Sequence, residues 1–127
     1  MDELLKKTLL YDFYGELLTP HQKRIYESIV FDDMSLGELA AEEEISRQAV
    51  FDMNKRSYKL LCDYEEKLHL VEKFMVNRSS AEQIQKVAGT LLDEFSGEEN
   101  GVVPDRETVC EKLNEILGHS QKILNEM

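Results

Sequence analysis

Two serines eleven residues apart, Ser35 and Ser46, constrain what this chain can fold into more than any other feature, because each opens a helix. Ser35 followed by Glu38 spells a capping box, in which the hydroxyl and the carboxylate satisfy the first orphan backbone N–H groups. The helix it opens carries Leu36, Leu39 and Ala40 on one face, and Ala40 is small where a second helix must approach closely. Ile45 and Ser46 mark the restart. Ser46 is a good N-cap, and Ala49, Val50 and Met53 follow at helical spacing as a stripe expected to pack back on Leu36 and Ala40. Residues 35–61 therefore read as a helix-turn-helix.

The second helix leaves Arg47, Gln48, Phe51, Asp52, Lys55, Arg56 and Lys59 pointing outward. Four cations and one anion between Ser46 and Leu61 make a local +3 inside a chain of net charge −11. A recognition helix needs that division, since its outer residues must reach base edges or phosphates while the opposite face holds the unit together. In that reading Arg47, Lys55, Arg56 and Lys59 supply charge to phosphates, and Gln48 is the candidate base-edge reader. Helix corners in all-helical proteins can carry the same pattern without binding anything.

Two prolines and six glycines, against many Leu, Glu, Lys and Ala, argue for an all-α protein. A length of 127 residues suits a small domain with an appendage, here a helix-turn-helix domain over 1–61 and helical continuation over 62–127. The excess acid is uneven: residues 1–34 sum to −3, 35–78 to −2 and 79–127 to −6. An acidic C-terminal part disfavours indiscriminate polyanion binding and suits a basic protein partner, although most of these acids read as solvated surface.

Leu5, Leu9, Phe13 and Leu17 recur every four residues, with Leu10 and Tyr14 widening the stripe, and predict an amphipathic helix over 2–17. Thr19-Pro20 starts another, with Ile25, Tyr26, Ile29 and Val30 as its inner face. Asp32-Asp33 form the turn into the motif. The helix opened at Ser46 has no evident stop before Asn77-Arg78-Ser79-Ser80, and Leu61, Tyr64, Leu68, Val71 and Met75 alternate along it like a coiled-coil seam. A helix that long is expected to reach a second cluster or to pair with another copy of the chain. Ser79 with Glu82 spells a further capping box, followed by Ile84, Val87, Ala88, Leu91, Leu92 and Phe95. A loop is expected over 97–104, and Asp105 caps a last helix whose stripe includes Val109, Leu113, Ile116, Leu117, Ile123 and Leu124.

Several of these residues carry a likeness. Asp12-Phe13-Tyr14, Leu17-Leu18-Thr19, Gln22-Lys23, Asp32-Asp33, Ser35 to Glu38, Ala40, the run Ser46 to Asp52, Lys55-Arg56 and Tyr64 to Leu68 together resemble the YlxM family, over about residues 10–70. These are small bacterial cytoplasmic proteins associated with the signal recognition particle, with a helix-turn-helix similar to region four of sigma factors. The chain departs from the pattern at Met53-Asn54, where the family tends to place Asn before an aliphatic residue; Asn54 is then expected toward the surface. The resemblance implies a regulatory accessory of co-translational targeting that associates with the particle's RNA and with its GTPase or receptor.

Three function classes stay open on the residues alone. The first is contact with that RNA, through phosphates, an irregular loop or a widened groove. The second is a transcription regulator that sets the same helix in the major groove of duplex DNA, which A-form RNA does not offer. The third is a purely protein-protein adaptor. An enzyme is not expected, because His21, His69 and His119 lie far apart with no Ser or Cys in a nucleophile pattern. Asp32-Asp33 and Glu42-Glu43-Glu44 read as solvated charge rather than a metal site, and no Gly-rich phosphate loop calls for a nucleotide cofactor. Cys62 and Cys110 read as buried thiols of a reducing compartment. With no signal peptide or spanning stretch, a cytoplasmic protein is expected, as a homodimer through the long helix and the C-terminal helices.

Overall fold

The computed structural model describes residues 2–97 and 103–127, and most of the loop expected over 97–104 lies outside them. The chain divides into two compact units, Met1–Val71 and Glu72–Met127. Among the described residues every regular element is helical: α1 (Glu3–Tyr14), a 3-10 turn (Gly15–Leu17), α2 (Pro20–Val30), α3 (Leu36–Glu43), α4 (Arg47–Leu68), α5 (Leu70–Ser96) and α6 (Arg106–Glu126).

The starts of α2, α3 and α4 follow from their caps. Thr19 Oγ1 accepts from the Gln22 N–H and the Gln22 side chain accepts from the Thr19 N–H, a complete capping box with Pro20 at the first helical position. Ser46 Oγ accepts from the Ala49 N–H at 3.0 Å. At α3 the box is half made. Ser35 Oγ accepts from the Glu38 N–H at 3.1 Å, but the Glu38 carboxylate takes the Ser35 hydroxyl instead of its backbone N–H. The turn between α3 and α4 closes through Glu44 in the left-handed region (φ 57°), whose N–H bonds the Ala40 carbonyl.

In the first unit α4 packs against α1, α2 and α3. Ile25, Leu39, Ala40 and Val50 form a buried cluster, with Ile29, Met34, Ile45 and Met53 packed on it. Burial of Ile25, Leu39 or Val50 contributes about 1.5–3 kcal/mol of transfer free energy each. The stripe of α4 therefore packs on Leu39 and Ala40, whereas Leu36, expected in that contact, is 37% exposed. In α1 the expected four-residue line is likewise displaced. Leu5 and Phe13 are exposed, while Leu9 of that line and Leu10 and Tyr14 beside it are buried; beyond Tyr14 the tighter 3-10 turn rotates the chain, so that Leu18 is buried and Leu17 exposed.

The unbroken helix expected from Ser46 to Asn77 is two helices. His69 adopts the left-handed region (φ 56°), its N–H bonding the Glu65 carbonyl at 2.8 Å. The orphan N–H groups that open α5 are then met from the first unit: Leu70 N–H donates to the Tyr14 hydroxyl at 3.1 Å and Val71 N–H to Glu65 Oε1 at 2.9 Å. Tyr14 Oη closes the arrangement by donating to the same Glu65 oxygen at 2.6 Å. Neither Gly nor Pro marks this break, so it depends on a tyrosine 56 positions before Leu70. The seam read from the sequence is cut between Leu68, which is exposed, and Val71, which is buried.

The capping box expected at Ser79 does not form. Ser79 lies inside α5, where the preceding turn already supplies the acceptors, and Glu82 pairs with Arg78 at 3.0 Å. In the second unit Lys112 on α6 reaches Glu94 on α5 at 2.8 Å, and Asp105 caps α6 through the Thr108 N–H at 2.8 Å. No residue of α6 is buried, and Leu92, Phe95, Leu113, Leu117 and Leu124 are exposed. Among the described residues no helix is long and apolar enough to cross a membrane.

Candidate nucleic-acid interface

The outward division expected of α4 is present. Arg47, Gln48, Phe51, Lys55, Arg56 and Lys59 are exposed, while Val50, Ser57 and Leu61 are buried. At 3.6 residues per turn the exposed set spans about half the circumference of the helix, with Gln48 and Lys55 near its centre. Asp52, also expected outside, is half-buried among its neighbours.

The side chains differ in how firmly they are held. Gln48 Nε2 donates to Asp52 Oδ1 at 3.0 Å, which orients the amide of this exposed residue. Arg56 Nε donates to the Asp52 carbonyl at 3.4 Å, a long bond that lays the guanidinium along its own helix. Lys59 pairs with Asp63 at 3.1 Å, a surface contact one turn on that is worth about 0.3–0.5 kcal/mol and gives way to a phosphate at little cost. Arg47 lies across the preceding helix: a Cβ on Gly37 would sit 3.0 Å from its terminal nitrogen. That glycine lets the guanidinium rest on α3 beside the start of α4. Among the described residues Lys55 has no ion pair.

Asn54, read from the sequence as displaced to the surface, is not. Its Oδ1 is buried and has no hydrogen-bond partner. Asn54 is one of the residues that line a pocket of about 260 Å³ between α1, α2 and α4, beside Phe51 and Lys55, but that oxygen is covered by protein atoms. Sequence reasoning missed this pocket, because its walls come from three helices whose relative rotation no local pattern states.

Elsewhere the site-like residues are structural. Glu43 is one-fifth exposed and joins α3 to α2, with oxygens 3.4 Å from His21 Nε2 and 3.5 Å from Arg24 Nε, so it is not the solvated charge expected. Among the described residues no three His, Cys, Asp or Glu side chains converge to hold a metal ion. Both cysteines are free; Cys62 is half-buried, but Cys110, expected to be buried, is exposed.

Comparison with known proteins matches the amino-acid sequence to a family. A family model described as "UPF0122: Putative helix-turn-helix protein, YlxM / p13 like" covers residues 1–96. The UPF0122 protein YlxM of Bacillus subtilis is 39% identical over 94 residues, 74% of this chain and 86% of the relative. A UPF0122 protein of Shouchella clausii is 43% identical over 86 residues, 68% of this chain and 79% of the relative. One of Caldanaerobacter subterraneus is 47% identical over 85 residues, 67% and 73% of the two chains.

Proposed function

This chain belongs to the UPF0122 family of YlxM/p13-like helix-turn-helix proteins, and on that premise we propose that it is a non-catalytic regulatory protein that contacts nucleic acid through α4. The observation that carries the reading is the exposed arc of Arg47, Gln48, Lys55, Arg56 and Lys59 on a helix whose other face is locked into the core. The four cations touch phosphates and Gln48 reads a base edge. Following the resemblance drawn from the sequence, the proposed ligand is the RNA of the signal recognition particle, with the particle's GTPase or its receptor as protein partner. Duplex DNA is the second reading, favoured by a helix whose exposed half suits a B-form major groove.

The second unit supports a homodimer. Leu92 is 66% exposed, Leu117 65% and Leu124 61%, apolar surface that a second copy would cover. Sedimentation of the purified protein tests this, with a monomer at micromolar concentration as the refuting result.

The binding test is a titration against labelled particle RNA, with unrelated RNA and duplex DNA as competitors at two salt concentrations. Particle RNA should win, and Arg47→Ala with Arg56→Ala should weaken the complex and flatten its salt dependence by about one to two counterions. Preference for duplex DNA would establish the second reading. Binding to none of the three would overturn both and leave the adaptor class.

A further inference from the structure

Gly37 has no backbone reason to be glycine. It stands in the first turn of α3 without a positive φ, where alanine is the more favourable helix residue. What its missing side chain leaves room for is a charge. The atoms that a Cβ on Gly37 would meet first all belong to the Arg47 guanidinium, with Nη2 at 3.0 Å and Cζ and Nε at 3.2 Å. At Gly89 and Gly118, inside α5 and α6, a Cβ would meet nothing within 4 Å. Gly37 is accordingly half-buried between the exposed Leu36 and Glu38.

This contact fixes the guanidinium in place and leaves its charge unspent. Among the described residues Arg47 makes no ion pair and its side chain donates no hydrogen bond, whereas Lys59 is paired with Asp63 and Arg56 is bonded to a carbonyl of its own helix. A long side chain that must be ordered by its ligand weakens binding by roughly two- to tenfold through lost rotamer freedom. A guanidinium already resting on a glycine has lost much of that freedom beforehand. Its place also limits what it can touch. At about 100° per residue Arg47 lies at one margin of the exposed arc of α4, with Gln48 and Lys55 at the centre and Arg56 at the opposite margin. From the margin beside α3 it meets the sugar-phosphate backbone, and the base edges are left to the centre of the arc.

We infer that Gly37 is a positioning residue for nucleic-acid binding: the gap over its Cα is the seat on which the Arg47 guanidinium is held ready for a phosphate. The inference rests on the reading of α4 as the nucleic-acid helix. Bulk placed on that seat displaces the guanidinium and leaves the two helices where they are, because the contact is with the far end of a flexible side chain. Gly37 itself touches no ligand and acts through Arg47.

The experiment titrates labelled particle RNA and, in parallel, duplex DNA with the full-length parent, Gly37→Ala, Gly37→Leu, Arg47→Ala and the double variant Gly37→Leu with Arg47→Ala. On the nucleic acid that the parent prefers, Gly37→Leu should weaken binding by roughly two- to tenfold and Gly37→Ala by less, with neither melting below the parent. Arg47→Ala should weaken binding and lower the salt slope by about one. The decisive reading is the double variant, which should bind within about twofold of Arg47→Ala alone, since with the arginine gone its seat no longer matters. A merely structural role for Gly37 would weaken binding by the same factor in both backgrounds, and that result would overturn the inference. So would a Gly37→Leu protein that binds as tightly as the parent while Arg47→Ala binds more weakly, an outcome that leaves the function proposed for α4 standing. A parent that binds neither nucleic acid would overturn that function and the role of Gly37 together.

Discussion

Replacing Tyr14 by Phe removes one oxygen atom, and that atom holds together the junction where α4 ends and α5 begins. The ring stays buried, at 1% exposure, so the change leaves no cavity beyond the hydroxyl. The losses are the bond to Glu65 Oε1 at 2.6 Å and the acceptor for the Leu70 N–H at 3.1 Å. A hydrogen bond to a charged group is worth about 1.5–3 kcal/mol, and the stranded N–H adds to the loss. For a unit of this size a destabilisation of about 2 kcal/mol lowers the melting temperature by roughly 8–16 °C. The pH dependence gives an independent signature. Burial, then the bond to Glu65, push the Tyr14 hydroxyl up to about 12 from its ordinary 10.0. Between those values the unfolded chain sheds this proton and the folded chain keeps it. The stability from the shift is therefore complete below pH 10 and is lost as pH rises through 12, by about 3 kcal/mol. Tyr14→Phe has no proton to lose there, so the gap of about 2 kcal/mol between parent and variant should close from pH 10 to 12 in urea unfolding followed by circular dichroism. Tyr11 and Tyr26 are also pushed upward, mainly by burial, but they are present in both proteins and cancel. Hydrogen exchange at Leu70 and Val71 should accelerate in the variant at neutral pH. A variant as stable as the parent, or a gap constant across the alkaline range, would refute the junction as the source of this stability.

Three further substitutions probe backbone and packing. Gly15→Ala places a Cβ 2.9 Å from the Tyr11 ring, which is stacked on Tyr26 with centroids 5.4 Å apart, so thermal melting should show a loss of about 1–3 kcal/mol. Glu44→Gly relieves a left-handed residue at φ 57° and should raise stability by about 1 kcal/mol in denaturant titration; a lower midpoint would show that the Glu44 side chain matters more than its backbone. Gly118→Ala, in the interior of α6 with no atom near its added Cβ, should stabilise by about 0.4–1 kcal/mol and raise helicity by circular dichroism.

The caps and the polarity of α4 were legible in the sequence because both are local. Thr19, Ser46 and Asp105 bond N–H groups three residues ahead of them, and a helix period sends Arg47, Lys55 and Arg56 to one side and Val50 to the other whatever lies beyond. The same local logic misled at Ser79, since a Ser-x-x-Glu pattern caps only where the chain enters a helix from outside. Three matters belonged to the tertiary structure alone. The end of α4 is set by Tyr14, far off in sequence, whose hydroxyl and Glu65 together satisfy the backbone groups that a break at His69 would otherwise strand. Which flank of α1 is buried was decided by α2 and α4, which pack on it. The pocket around Asn54 arises only when α1, α2 and α4 meet at particular rotations. The physical reason is range: a cap or an amphipathic period is written within one or two turns of chain, whereas a break, a buried flank and a cavity depend on groups brought together from distant positions by burial of the core.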